Sequence, residues 1–203
     1  MKNIRLIAAI LVIMVLLNRC DFFSPTETVR GTGPIESEIF HLNAFHEIEN
    51  TGIIDVNIIE GSEQEVTFSA QEEILDVIAA HVSQGRLIIG IEEDIRIKTR
   101  KGITVDIITP GVNRVMGTGT GDYYLQGGLQ DELFIELTGT GDLNAYDLEV
   151  RECIVMLSGT GDARVRVVDN LDVESTGTGD VYYKGQPSID VEITGTGSLH
   201  NEN

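Results

Sequence analysis

The amino-acid sequence predicts an all-β protein wound as a parallel β-helix, a solenoid with coils of about 18–20 residues, and three observations carry that prediction. The unit Thr/Ser-Gly-Thr-Gly-Asp stands at Thr118–Asp122, Thr138–Asp142, Ser158–Asp162 and Thr176–Asp180, and a fifth copy, Thr194–Ser198, ends in Ser. Successive copies start 20, 20, 18 and 18 residues apart, an internal period that marks a repeat architecture. Before each copy apolar residues fall at every second position: Leu133, Ile135, Leu137; Cys153, Val155, Leu157; Leu171, Val173; Ile189, Val191, Ile193. Period 2 is the signature of a strand with one buried face. Finally, 22 glycines with only 5% aromatic residues and no Trp suit thin, strand-rich layers, while 41% hydrophobic residues exclude wholesale disorder. A β-propeller is the alternative, but its blades take about 40 residues each.

Along the chain, residues 1–20 come first. Lys2 and Arg5 precede an apolar run, Leu6–Leu17, whose twelve residues fall short of the roughly 20 a bilayer span needs. A positive start followed by a short apolar segment reads as a secretory signal. Leu17-Asn18-Arg19-Cys20 looks like a bacterial lipoprotein signal in which Cys20 becomes the lipidated first residue, although small residues usually stand where Asn18 and Arg19 do. A cleaved soluble export signal and an uncleaved anchor are the alternatives. Removing residues 1–19 leaves 11 basic residues against 33 acidic and a formal charge of −22. With Cys20 acylated, Cys153 is the one remaining thiol, so no internal disulfide forms, and its apolar neighbourhood reads as a small buried hydrophobe.

Residues 21–44, with Pro25, Gly31, Gly33 and Pro34, read as a tether and lead-in, and residues 45–203 as the head domain. Within the head, Ile53–Ile59, Glu65–Ala70, Arg86–Glu92 and Ile103–Ile108 are strand-like, and the spacing of Ile74, Leu75, Ile78 and Val82 predicts one short amphipathic helix near the N-terminal end. These pieces are expected to cap the solenoid. In the repeat region, 117–198, continuing the alternation turns the motif glycines inward and the hydroxyl residues outward, which requires a place where backbones approach too closely for a Cβ. Each motif is followed by a second apolar stretch, such as Tyr123-Tyr124-Leu125 or Val181-Tyr182-Tyr183, and the 18-versus-20 difference is left to the segments between strands.

Val29-Arg-Gly-Thr-Gly33, Phe45-His-Glu-Ile48, Val56-Asn-Ile-Ile-Glu-Gly61 and the serial Ser/Thr-Gly-Thr-Gly-Asp units together resemble the "putative auto-transporter adhesin, head GIN domain" family over roughly Val29 to Asn203. The resemblance implies a right-handed parallel β-helix in an exported bacterial envelope protein, often lipid-anchored, favouring the outer membrane or cell surface. It implies no catalytic residues to carry over. The sequence departs from the family in using Thr where Ser is commoner and in losing the last Asp at Ser198.

Thirty-three acidic against 14 basic residues, a formal charge of −19, argue against nucleic acid as a partner. Asp122, Asp142, Asp162 and Asp180 are expected to stack in one column, where like charges demand a cation or hydrogen bonds. Calcium is the one cofactor this suggests; Asx-type bonding to each residue's own turn is the plainer reading. Thr118, Thr120, Thr138, Thr140, Thr176 and Thr178 form a second column, read as stacking support, with an ice-binding face as the sharper alternative. Tyr124 and Tyr182 are placed outward, where a phenol ring can stack on a sugar. The glycine motif does not fit a phosphate loop, because a strand and not a helix follows it. The functional expectation is therefore a non-enzymatic envelope binding module, serving adhesion or surface organisation toward glycans or a surface protein, with membrane contact through the lipid anchor only and self-association open at its end strands. A polysaccharide-active lyase or hydrolase is the alternative, and a calcium-binding structural protein a further one.

Overall fold

The computed structural model describes residues 27–203; the signal-like segment and Cys20 lie outside them. Sixteen strands and one helical turn follow in order. They are β1 Glu27–Arg30, β2 Glu36–Ile39, β3 Glu47–Asn50, β4 Asp55–Glu60, β5 Glu65–Ala70, α1 Glu72–Leu75, β6 Ile78–Ser83, β7 Arg86–Ile91, β8 Ile95–Lys98, β9 Thr104–Thr109, β10 Arg114–Gly117, β11 Tyr123–Leu137, β12 Leu143–Leu157, β13 Ala163–Ser175, β14 Val181–Lys184, β15 Ser188–Ile193 and β16 Leu199–Asn201. β1 pairs with β8 in a two-stranded sheet, and the other fourteen strands form one sheet. β1 and β2 lie within residues 21–44.

The three long strands explain the shape. In β11, Tyr123–Gln126 runs beside β4 while Phe134–Leu137 runs beside β10. Both ends alternate between buried and outward residues, and the stretch between them, Gln126–Glu132, is largely exposed. β12 and β13 repeat the bend in register, so the sheet curls like a half-barrel until both arms face one apolar core. Ile48, Val115, Ile135, Val155 and Val173, all at 0% exposure, stack across neighbouring strands of one arm, and Val56, Tyr123, Leu143, Ala163 and Val181 do so across the other. The change of period from 20 to 18 is absorbed in the bend. Ala145 still faces Val165, but Arg166 faces Glu149, so Tyr146–Leu148 bulge out of register and Leu148 returns to the core.

The expected right-handed parallel β-helix is therefore corrected. The all-β class holds, but the sheet is mixed: β2·β5, β5·β9 and β6·β7 are antiparallel. For β6·β7 the reason is local. Gln84 and Gly85 take positive φ of 53° and 79°, the conformation of a tight hairpin turn, and such a turn can only return the chain antiparallel to itself. A Cβ on Gly85 would also meet the His46 ring at 2.5 Å. The predicted helix shrinks to the single turn α1, which buries Ile74 and Leu75; Ile78 and Val82 belong to β6, where pairing with β7 overrides the helical spacing.

Candidate functional site

The glycine motifs form one corner of the curled sheet. Thr138 N donates to Gly117 O at 2.8 Å and Thr140 N to Gly119 O at 3.1 Å, and the same pattern recurs in each later copy. Thr118, Thr120, Thr138, Thr140, Thr176 and Thr178 all face solvent, while Gly121, Gly141, Gly161, Gly177 and Gly179 are buried, as the alternation predicts.

Past this corner the backbone hydrogen bonds reverse direction. Thr140 N points back to the preceding rung, whereas Leu143 N donates forward to Asp162 O at 2.8 Å. Asp142 N, between them, has no backbone acceptor in that scheme, and Asp122 Oδ1 fills the gap at 2.9 Å. Asp162 N to Asp142, Asp180 N to Asp162 and Ser198 N to Asp180 repeat the bond at 2.8, 2.9 and 2.7 Å. The aspartate column is thus a ladder in which each carboxylate serves the next rung and not its own turn. Ser198 is the last rung of the ladder among the described residues, where its amide donates to Asp180. Among the described residues no group of three or more His, Cys, Asp or Glu has metal-ligating geometry. Replacing Asp142 by Ala orphans the Asp162 amide and is expected to cost about 1–3 kcal/mol in urea unfolding, with Asp142→Asn milder because it keeps an acceptor. A wild-type unfolding midpoint in Asp142→Ala would remove this role.

The ladder begins one rung earlier than the motif does. Asp122 N donates to Asp55 Oδ1 at 3.0 Å, and Thr118 N and Thr120 N donate to Asn50 O and Gly52 O at 3.1 Å each. Asn50-Thr-Gly-Ile-Ile-Asp55 is a sixth corner written without the repeat.

Outward from the aspartates runs a second column, Asn57, Tyr124, Asn144, Arg164, Tyr182 and His200, paired directly from strand to strand. Tyr182 lies between Arg164, 4.7 Å from its ring centre, and His200, stacked at 4.8 Å, so both its faces are covered. Tyr124 sits between Asn57 and Asn144 with 45% of its surface exposed, and of the two expected ligand-contact rings it is the free one. Cys153 is fully buried, and burial pushes its thiol up to about 12, which suits a core residue and not a nucleophile.

A further concavity lies on the other arm. A groove of about 510 Å³ crosses β10, β11, β12, β13 and β15 between two outward columns. One wall is Glu132, Glu152, Asn170 and Ser188; the other is Arg114, Phe134, Ile154, Asp172 and Asp190. Leu133, Cys153 and Leu171 lie between them with their side chains in the core. Arg114 stacks 4.0 Å over the Phe134 ring, and Arg86 engages Glu47 at the groove's head at 3.0 Å. Glu132, Glu152, Asp172 and Asp190 have no ion-pair partner among the described residues. Sequence reasoning missed this site, yet a signal existed. Phe134 and Ile154 occupy outward positions that Asp172 and Asp190 fill in later copies, so each breaks the alternation of its strand. At the C-terminal end Ile189 and Val191, in register with buried Leu171 and Val173, remain 41% and 45% exposed, while Asp190 and Glu192 charge that edge.

A model of the family described as "Putative auto-transporter adhesin, head GIN domain" matches residues 44–127 and 112–187. A crystal structure of a putative adhesin from Bacteroides fragilis is similar, with a TM-score of 0.59 at 16% identity over 86% of this chain and 100% of that one. A structure named a putative lipid binding protein, from Parabacteroides distasonis, aligns with a TM-score of 0.50 at 15% identity over 87% and 100% of the two chains. At these identities the likeness concerns the fold alone. A search of curated proteins finds no match.

Proposed function

The chain belongs to the family described as "Putative auto-transporter adhesin, head GIN domain", and on that premise we propose that it is a non-enzymatic binding module of the bacterial cell envelope, serving adhesion or surface organisation. The observation that carries the proposal is the groove of about 510 Å³ on an otherwise regular outer face, a size suited to a ligand and with no place in the packing of the core. Phe134 and Ile154 offer it an apolar contact, and the surrounding carboxylates and amides offer orientation. Anchoring through Cys20 would hold the head at a membrane surface; incorporation of a fatty-acid label, lost in Cys20→Ala, tests that anchor.

The family name supports recognition of surface molecules in general, and two classes of ligand follow from two faces. The exposed Tyr124 ring between Asn57 and Asn144 favours a glycan, by stacking with flanking amides as hydrogen-bond partners. The groove takes whatever ligand Phe134 contacts. The deciding experiment probes the purified protein against cell-surface polysaccharides, a glycan array and surface proteins, comparing Phe134→Ala with Tyr124→Ala. Saturable binding lost in Phe134→Ala is the expected result; loss confined to Tyr124→Ala moves the site to the tyrosine column. The same binding is expected with calcium or chelator, because an oxygen of each ladder aspartate already serves an amide. Release of shortened glycan would replace this reading with the polysaccharide-active enzyme.

A further inference from the structure

We propose that the groove across β10–β13 and β15 binds an extended peptide segment in which basic and apolar residues alternate. The inference rests on the reading of this groove as the ligand site and assigns the chemistry of what fills it.

Glu132 is paired directly with Glu152, and Asp172 with Asp190, on adjacent parallel strands. Outward side chains at such positions stand about 4.8 Å apart, a spacing at which like charges destabilise a sheet. Several acids elsewhere on this surface have basic partners, although the paired Glu174 and Glu192 do not. Arg151 lies 3.4 Å from Asp131 and from Asp169, Arg166 lies 3.1 Å from Glu149, and Arg86 bridges Glu47 and Glu49. Arg114 is the one basic residue lining the groove, and its guanidinium covers Phe134. Two like-charge pairs therefore frame the groove with nothing in the described chain to neutralise them. A bound ammonium or guanidinium at each pair would.

Apolar chemistry narrows the ligand. Phe134, half-buried with Arg114 over one face of its ring, and Ile154, at 42% exposure, are paired neighbours on the outer face across the groove from Glu132 and Glu152. A polyamine would satisfy the carboxylates and leave this strip wet; a neutral sugar would leave the charges uncompensated. A segment with both kinds of side chain meets both demands. Asn113, at the groove's head, adds a buried side-chain oxygen without a hydrogen-bond partner among the described residues. Length also fits: five strands at about 4.8 Å spacing span about 19 Å, enough for about six extended residues.

The test measures anisotropy of a fluorescent peptide of alternating Lys and Leu against the full chain at physiological salt. Comparison peptides replace Leu by Ser or Lys by Glu. Saturable binding of the Lys-Leu peptide is expected, weakened about tenfold or more in E132Q/E152Q and in D172N/D190N. E174Q/E192Q removes the same charge from a directly paired position outside the groove and is expected to leave binding within about twofold. Equal weakening by the groove and off-groove variants would mean diffuse attraction to an acidic protein and would overturn the proposal, as would equal binding of the Lys-Ser peptide. Unfolding midpoints of all three variants confirm that each is folded. If an oligosaccharide binds and Phe134→Ala abolishes it while the peptide fails, the peptide chemistry is wrong and the groove reading stands. If neither ligand responds to Phe134→Ala, both fall.

Discussion

Gly159→Ala is expected to destabilise the protein by more than about 4 kcal/mol, beyond the ordinary range for a single substitution. A Cβ at this position would lie 1.9 Å from Gly139 O and 2.8 Å from the Thr138 carbonyl carbon. These are backbone atoms, so no rotamer change relieves the clash. The rung cannot step away either, because Ser158 N and Thr160 N are bonded at 3.0 Å to Leu137 O and Gly139 O on the preceding rung. Equivalent positions in the flanking copies are as tight, with Gly139 placing a Cβ at 1.8 Å and Gly177 at 2.1 Å from a carbonyl oxygen. Gly102→Ala is the control: nothing lies within 4 Å of its Cβ, and a change within about 0.5 kcal/mol is expected. Urea unfolding followed by far-ultraviolet circular dichroism reads both, and a Gly159→Ala midpoint near the wild type would refute the close-approach account.

The second large effect is expected at Asn50. It is fully buried, its Nδ2 donates to Ile54 O at 2.7 Å, and its Oδ1 accepts from Gly52 N at 3.0 Å. Asn50→Ala strands a buried carbonyl and a part-buried amide, for an expected loss of about 3 kcal/mol. Burial pushes the neighbouring Tyr123 phenol well above its ordinary range, an effect Asn50 opposes by hydrogen bonding, so the substitution also removes a polar partner from a buried ring. Asn50→Asp keeps the acceptor for Gly52 but loses the donor and buries a carboxylate, so it is expected to be destabilised as well, with the loss growing toward neutral pH as the acid ionises. Equal stability of wild type and Asn50→Ala at all urea concentrations would show that the corner closes without this side chain.

Why Asn50 was invisible in the sequence is instructive. Asn50 stands in register with Gly117, Leu137, Leu157 and Ser175, Gly52 keeps the place of the first motif glycine, and Ile54 takes the place of the second. The Asn50 amide ties Gly52 N to Ile54 O across this corner, and Ile53 and Ile54, where the repeats have Thr or Gly, hide the pattern. The groove went unread for a related reason. Phe134 and Ile154 are apolar residues at outward positions, and only the stacking of β11 on β12 sets them side by side. Ion pairing was illegible too, since Arg151 reaches Asp131 and Asp169 at 20 and 18 residues' distance only through the register of stacked strands.

The features legible in the chain are local and periodic: which residues face inward in β11, β12 and β13, where the chain turns, and that glycine must line the inside of the corner. Those follow from the two-residue period of a strand and from the volume of a Cβ, and both are properties of short segments. Pairing direction in residues 45–109, the first aspartate of the ladder at Asp55 and the joining of columns from five strands into one groove are set only as the chain folds. Pairing direction depends on a turn at Gln84-Gly85 whose partner strand no local pattern names, and a groove exists only once strands far apart in the chain are laid side by side at sheet spacing.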